Sequence, residues 1–251
     1  TPIASELATM SAAQVDVILG EMSEFEMTWD AAGLPVEFRN NEVQFKDGLF
    51  RLHEICAGLQ NAGVKRMSTW IMPTHPERTY RQNFSLHIRR MRQMLDILQE
   101  YDIKLGLEYV GPKTLMTSQR FSFISTLVEL QELILEINKP NVGIQLDSFH
   151  WYCAGETEAD LLKLNKEDIV TCDINDAVAG RAPDEQLDYE RELPGASGVI
   201  DLSAFLNALK VIGYDGPIRA EPFNQPLNDQ EDDVALDQTY KAMRRAFELL
   251  N

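Results

Sequence analysis

Histidine, cysteine and positive charge are all scarce in this sequence. Its 251 residues hold four histidines and three cysteines. Cys56, Cys153 and Cys172 form no CxxC pair and cluster with no histidine. That argues against a structural zinc site and a disulfide framework, and for a reducing, cytoplasmic compartment. Lysine and arginine number 23 against 40 acids, a formal net charge of −17. Such a surface repels phosphate backbones, so nucleic acid is not an expected partner. A small anionic substrate in a local basic pocket stays compatible with it. No apolar run approaches the ~20 residues that span a bilayer, so no membrane partner is expected. The start, Thr1-Pro-Ile-Ala-Ser, has no initiator methionine and none of the basic and apolar regions of a signal peptide. No GxGxxG follows a strand pattern and no GxxxxGK[ST] occurs, which leaves dinucleotide and P-loop readings unsupported.

What is present is an alternation of helix and strand patterns. Helical periodicity covers Ser11 to Met22, Phe45 to Ala62, Phe84 to Tyr101, Arg120 to Asn138, Glu158 to Leu164, Asp201 to Ile212 and Val234 to Leu250. Short apolar runs at Phe25 to Ala32, Arg66 to Met72, Ile103 to Glu108, Val142 to Asp147, Ile169 to Asp173 and Pro217 to Glu221 read as strands. A long polar segment fills 175–198. Strands separated by helices imply βαβ units and a parallel sheet, and 251 residues suit one domain, an α/β barrel of the (β/α)8 type. Only six βα units are visible, so the expectation is that the first two are missing from this chain, or else that the barrel is open.

Four of the strands end in acids: Glu108, Asp147, Asp173 and Glu221. In a parallel barrel these ends share one face, where active sites form. Four converging carboxylates repel one another unless a cation neutralises them. All-oxygen ligation favours a hard divalent ion, Mg²⁺ or Mn²⁺, with Zn²⁺ or Co²⁺ as alternatives. Taken singly, each acid could instead be a helix N-cap or a solvated loop residue. His150 follows Asp147 by three positions and is a candidate for a substrate hydroxyl or for the metal. Lys113 and Arg191, on loops beyond strand ends, are candidates for substrate oxygens, though Lys113 could equally be a plain exposed side chain, and His75 is a candidate for the same face. Trp29, Trp70, Phe149, Trp151 and Phe223 flank strand ends and could form an apolar wall for a sugar ring, or pack in the core.

The order Glu108, Asp147-x-x-His150, Asp173-Ile-Asn-Asp176, Arg191-Glu-Leu-Pro-Gly195, Gly198-Val-Ile-Asp201 and Glu221-Pro-Phe223 resembles the xylose-isomerase-like TIM-barrel superfamily. That group includes sugar phosphate isomerases and epimerases, ketose 3-epimerases, inosose dehydratases and apurinic endonucleases. The resemblance implies metal ligation by Glu108, Asp147 and Glu221, on the fifth, sixth and eighth barrel strands. It implies substrate contacts from His150 and Arg191, and an acid–base pair in Glu108 and Glu221. A histidine is usual where this chain has Asp173, and Asp176 would support the loop. The implied activity is a metal-dependent isomerase or epimerase of a sugar or polyol. A dehydratase of a keto-polyol and a non-catalytic sugar-binding relative are the alternatives. A second copy of the chain is a candidate partner.

Overall fold

The computed structural model describes residues 1–250. Six strands form one parallel sheet in chain order: Ala32–Gly33, Arg66–Ile71, Lys104–Tyr109, Val142–Asp147, Ile169–Ile174 and Ile218–Ala220. Chain order with parallel pairing is what successive βα units produce. The sheet curls without closing: among the described residues no ladder joins its first and last strands. Side chains link the two ends instead. Asp30, just before the first strand, accepts from Thr171 Oγ1 (2.7 Å) on the fifth and from Arg219 Nη1 (2.9 Å) on the sixth.

Strand side chains alternate between the two faces of the sheet. One set, including Leu105, Leu107, Tyr109, Ile144, Leu146, Cys172 and Ile174, is buried in the apolar core. Helices cover this side, with Met94 and Leu98 from Tyr80–Glu100, Leu130 and Leu133 from Leu127–Ile137, and Phe205 and Leu209 from Leu202–Ile212. The other set points into the curl and is polar: Glu108, Gln145, Asp147, Thr171, Asp173 and Arg219. Only local charge pairing and hydrogen bonding make such an interior affordable.

The helix caps follow the expected chemistry. Ser11 and Gln14 close a reciprocal capping box on Ala12–Glu24. Asp201 caps Leu202–Ile212, which ends at Gly213 with φ of 76°. Three expectations need correction. The run Phe25 to Ala32 is not a strand until Ala32. The chain turns there, with the Met27 N–H bonded to Met22 O (2.8 Å) and Glu26 at φ of 53°, which closes the preceding helix. Arg120 to Asn138 is not one helix. Phe121–Ser122 pairs antiparallel with Thr74–His75, and the helix starts at Leu127 behind the Thr126 cap. Glu158–Leu161 stops three residues early. All three cysteines are free, and no described helix is long and apolar enough to cross a membrane.

Candidate active site

The strand register brings the acids together. Asp147 lies opposite Asp173 in the ladder, Glu108 is one strand away, and Glu221 follows the last strand directly. One carboxylate oxygen from each of Glu108, Asp147, Asp173 and Glu221 lies within 4.8 Å of the others. Glu108, Asp147 and His150 form an overlapping group by the same measure. Glu108, Asp147 and Asp173 are buried, and Glu221 is partly exposed to a pocket of about 360 Å³. Trp70, Met72, His150, Arg191 and Phe223 line that pocket with the glutamates.

Two guanidinium groups supply the nearby positive charge. Arg191 Nη1 donates to Asp147 Oδ2 (2.8 Å) and Glu221 Oε2 (3.1 Å), and its Nη2 donates to Asp188 Oδ1 (2.9 Å). Its Cζ lies 4.7 Å from the ring centroids of both Phe149 and Phe223, so two aromatic rings hold it in place. Arg219 grips Asp173 through Nε and through Nη2 (3.0 Å), and shares Asp30. Two guanidiniums thus serve five carboxylates, and Glu108 pairs directly with neither.

Neutral donors complete the network. Gln145 Nε2 donates to Asp173 Oδ2 (2.7 Å) and Glu108 Oε1 (3.1 Å), and Asn175 Nδ2 donates to both oxygens of Asp147 at 3.1 Å. Asp147 also caps the helix Ser148–Cys153, accepting from the N–H groups of Phe149 and His150. It is therefore an N-cap and a member of the cluster at once. A donor faces each ring nitrogen of His150: Gly111 N–H donates to Nδ1 (3.3 Å) and Arg191 Nη2 lies 3.3 Å from Nε2, which is also 3.8 Å from Glu108 and from Asp188.

Incomplete neutralisation shows in the acidities. Burial, then the charges of Glu221 and Asp147, push Glu108 well above the usual carboxylate range. Burial, with Asp173 and Asp147, pushes Glu221 up to about 8. Burial lifts Asp173 to about 6 despite Arg219. Burial also opposes ionisation of Asp147, but Arg191, His150 and two backbone N–H groups outweigh it and hold the carboxyl below its ordinary value. Burial drives His150 down to about 4, so it is a neutral imidazole near pH 7.

The loop after the fifth strand delivers Arg191. Asp176 and Glu192 exchange backbone hydrogen bonds (2.9 and 2.8 Å), and Arg191 N–H donates to Phe223 O (3.0 Å). The Asp176 carboxylate accepts N–H groups from Ser197, Gly198, Val199 and Ile200. Lys113 does not reach the cluster. Its ammonium is 62% exposed and faces Asp184 at 3.7 Å, because the short helix Lys113–Met116 turns it outward. His75 is also outside, its Nδ1 accepting the N–H groups of Glu77 and Arg78. Trp29 and Trp151 belong to the packing, their indoles bonded to Ala62 O and Thr157 O.

Gln145, Arg219, Asn175 and Asp188 were not singled out from the sequence. The first two had a signal. Each stands two residues before a strand-end acid, and period-two alternation puts it on the same inner face.

The sequence matches the xylose isomerase-like TIM barrel family over residues 29–246. The chain belongs to that family. Over 136 residues it is 32% identical to an inosose isomerase of Bacillus subtilis (strain 168), a stretch covering 53% of this chain and 45% of that protein. The chain thus spans about half the length of the curated relatives it matches. A xylose isomerase domain protein from Alicyclobacillus acidocaldarius superposes with a TM-score of 0.83 at 29% identity, covering 94% of this chain and 82% of that one. The IOLI protein, solved with a bound zinc atom, superposes with a TM-score of 0.78 at 22% identity, covering 96% and 83%. At that identity the likeness is one of fold.

Proposed function

We propose that this chain is a metal-dependent isomerase or epimerase of a sugar or sugar-like polyol. The observation that carries this reading is the group of four carboxylates with ligand atoms within 4.8 Å of one another, two of which, Glu108 and Glu221, line a pocket at the strand ends. The donor set fits a hard divalent cation. It is all oxygen, largely buried, and left with surplus negative charge by the two arginines. Glu108, Asp147 and Glu221 would hold the ion. Asp173 is the least available donor, because Arg219 and Gln145 occupy its oxygens. A bound divalent ion supplies Lewis-acid polarisation of a carbonyl group.

The protein's own groups account for the proton transfers. One of Glu108 and Glu221 takes the proton from the carbon next to the carbonyl, and the electron pair of that C–H bond moves toward the carbonyl oxygen. The other, protonated, returns a proton to the opposite face of that carbon in epimerisation; in isomerisation a proton goes instead to the former carbonyl carbon, the adjacent hydroxyl gives up its proton to become the new carbonyl, and the former carbonyl oxygen takes one. Arg191 and the neutral His150 orient hydroxyl oxygens, and Trp70 and Phe223 offer apolar faces. Similarity to inosose isomerases, matched over 136 residues, supports a cyclic polyol ketone as the substrate class.

Elemental analysis of protein purified without chelator is expected to give about one divalent ion per chain. Glu221→Gln is expected to abolish turnover of inosose-type ketones and leave the circular dichroism unchanged. Full activity in that variant would sink the assignment. The grip of Arg191 on Asp147 and Glu221 favours one rival, a sugar binder without catalysis. Metal-free protein that binds polyols and turns none over would establish it. Product analysis separates epimerisation from dehydration, since elimination leaves an enone or enol absorbance.

A further inference from the structure

Carboxylates dominate the walls of the candidate pocket. Glu108, Asp188 and Glu221 all line it, and among the described residues Arg191 is the one lysine or arginine that does. Lys113 is turned away toward Asp184, and Arg219 pairs with Asp173 and Asp30. The local basic pocket that an anionic substrate needs is therefore not formed here.

Arg191 does not supply it alone. Its Nε–H donates to Asp188 O (2.9 Å), its Nη1 to Asp147 and Glu221, and its Nη2 to Asp188 Oδ1 (2.9 Å). The fifth N–H faces His150 Nε2 at 3.3 Å. A phosphate or carboxylate is held best by a fork of two free N–H groups, and no such fork is left.

Asp188 stands apart from the four converging acids, and its side chain is 29% exposed. Its Oδ1 takes the Arg191 bond, and its other oxygen has no hydrogen-bond or ion-pair partner among the described residues. The segment that carries it is anchored two residues earlier. There the buried Gln186 donates to Val178 O (3.0 Å) and Arg181 O (3.2 Å), and its carbonyl accepts from Thr114 Oγ1 (2.8 Å). A carboxylate oxygen held at a pocket wall without a partner accepts a hydroxyl and repels an anion.

We propose that Asp188 sets the specificity of this pocket, accepting a substrate hydroxyl on its unpaired oxygen and restricting the site to polyols that carry no phosphate or carboxylate. That the pocket receives the substrate rests on the function proposed above, whereas the exclusion of anions rests on the charges that line it. A divalent ion among the four converging acids offsets part of their charge and leaves that of Asp188 facing the pocket.

The test is a calorimetric titration of the protein as purified with matched pairs: fructose and fructose 6-phosphate, glucose and glucuronate, inositol and inositol 1-phosphate. Wild-type protein is expected to bind the neutral member of at least one pair about tenfold or more tightly than its anionic partner. Asp188→Asn keeps an oxygen for Arg191 and removes the charge. It should leave neutral binding within about threefold and narrow the gap by about fivefold. Glu190→Gln removes an acid of the same segment that pairs with Arg181 outside the pocket, and should leave the gap unchanged. A crystal soaked with the preferred polyol is expected to show a hydroxyl oxygen within hydrogen-bond distance of Asp188 Oδ2, which keeps the test valid if the variant fails to fold. An anionic member bound as tightly as its neutral partner, a gap unchanged in Asp188→Asn, equal weakening of both members, no hydroxyl at Asp188, or no binding in any pair overturns the assignment. The reading of the carboxylate centre stands or falls separately, on metal content and on Glu221→Gln. Protein that selects neutral polyols and turns none over would keep the role of Asp188 and lose the isomerase.

Discussion

Arg191 Nη1 lies 2.8 Å from Asp147 Oδ2, and neither side chain is more than 2% exposed. A buried pair of this kind is costly to break from one side, because the other charge is left without a partner. Arg191→Gln should therefore destabilise the metal-free protein by about 3–5 kcal/mol. Arg191 also holds oxygens that a cation would use. Added Mn²⁺ should then raise the urea midpoint of Arg191→Gln by more than it raises that of the wild type, as expected when a ligand binds only the folded state. Equal shifts in the two proteins would show that the guanidinium and the ion do not share these oxygens.

Asp173 stands where the family resemblance implies histidine, and its surroundings differ from those of Asp147. Arg219 and Gln145 occupy its oxygens, and burial keeps its acidity weak. Asp173→Asn should change divalent-metal affinity only a few-fold, whereas Asp147→Asn should abolish binding measurable by calorimetry. Arg219→Met alone should cost about 3–5 kcal/mol, and the double variant with Asp173→Leu should recover most of that. Comparable metal losses in the two aspartate variants would make Asp173 a full ligand.

The strand-end acids were legible because both of their signals are local: an apolar run, then a carboxylate. The parallel order was legible from the alternation of helix and strand patterns. Gln145 and Arg219 were missed because each was read as part of a continuous apolar strand. The inner face of this sheet is polar, and only period-two alternation from Asp147 and Glu221 reveals it. Lys113 was a plausible loop cation in sequence, but its direction depends on a four-residue helix that periodicity cannot resolve. The register that sets Asp147 opposite Asp173 includes an irregularity between Ile144 and Gln145, for which the sequence carries no signal.

Asp176 organises the loop that positions Arg191. Its carboxylate accepts from five backbone N–H groups, those of Ala177, Ser197, Gly198, Val199 and Ile200. Asp176→Ala removes the acceptor these groups share and leaves the buried N–H groups of Ala177 and Ile200 unpaired, while Val199 keeps Ser197 Oγ (3.3 Å). Hydrogen exchange at 197–200 should accelerate by at least tenfold, and polyol binding should weaken because Arg191 loses its support. Unchanged exchange there would mean that the backbone pairing of Asp176 with Glu192 suffices to hold the loop.

His87 makes the stability of this protein sensitive to acid. Burial drives the ring from its ordinary 6.5 down to about 4. Above pH 6.5 it is neutral in the folded and the unfolded chain, and stability does not depend on it. As pH falls from 6.5 toward 4, the unfolded chain takes up a proton that the folded chain refuses, and stability is lost; below 4 the loss levels off. At ~1.4 kcal/mol per pKa unit, the loss attributable to this ring is about 2 kcal/mol at pH 5 and about 3 kcal/mol in full. His87→Phe retains the ring contacts with Phe38 and Phe123 and cannot titrate. Urea midpoints of wild type and variant at pH 7.5 and pH 5 isolate the effect, because every other titrating group contributes equally to both proteins. The variant should lose about 2 kcal/mol less than the wild type between the two pH values. Parallel losses would show that His87 accepts its proton in the folded state as readily as in the unfolded one.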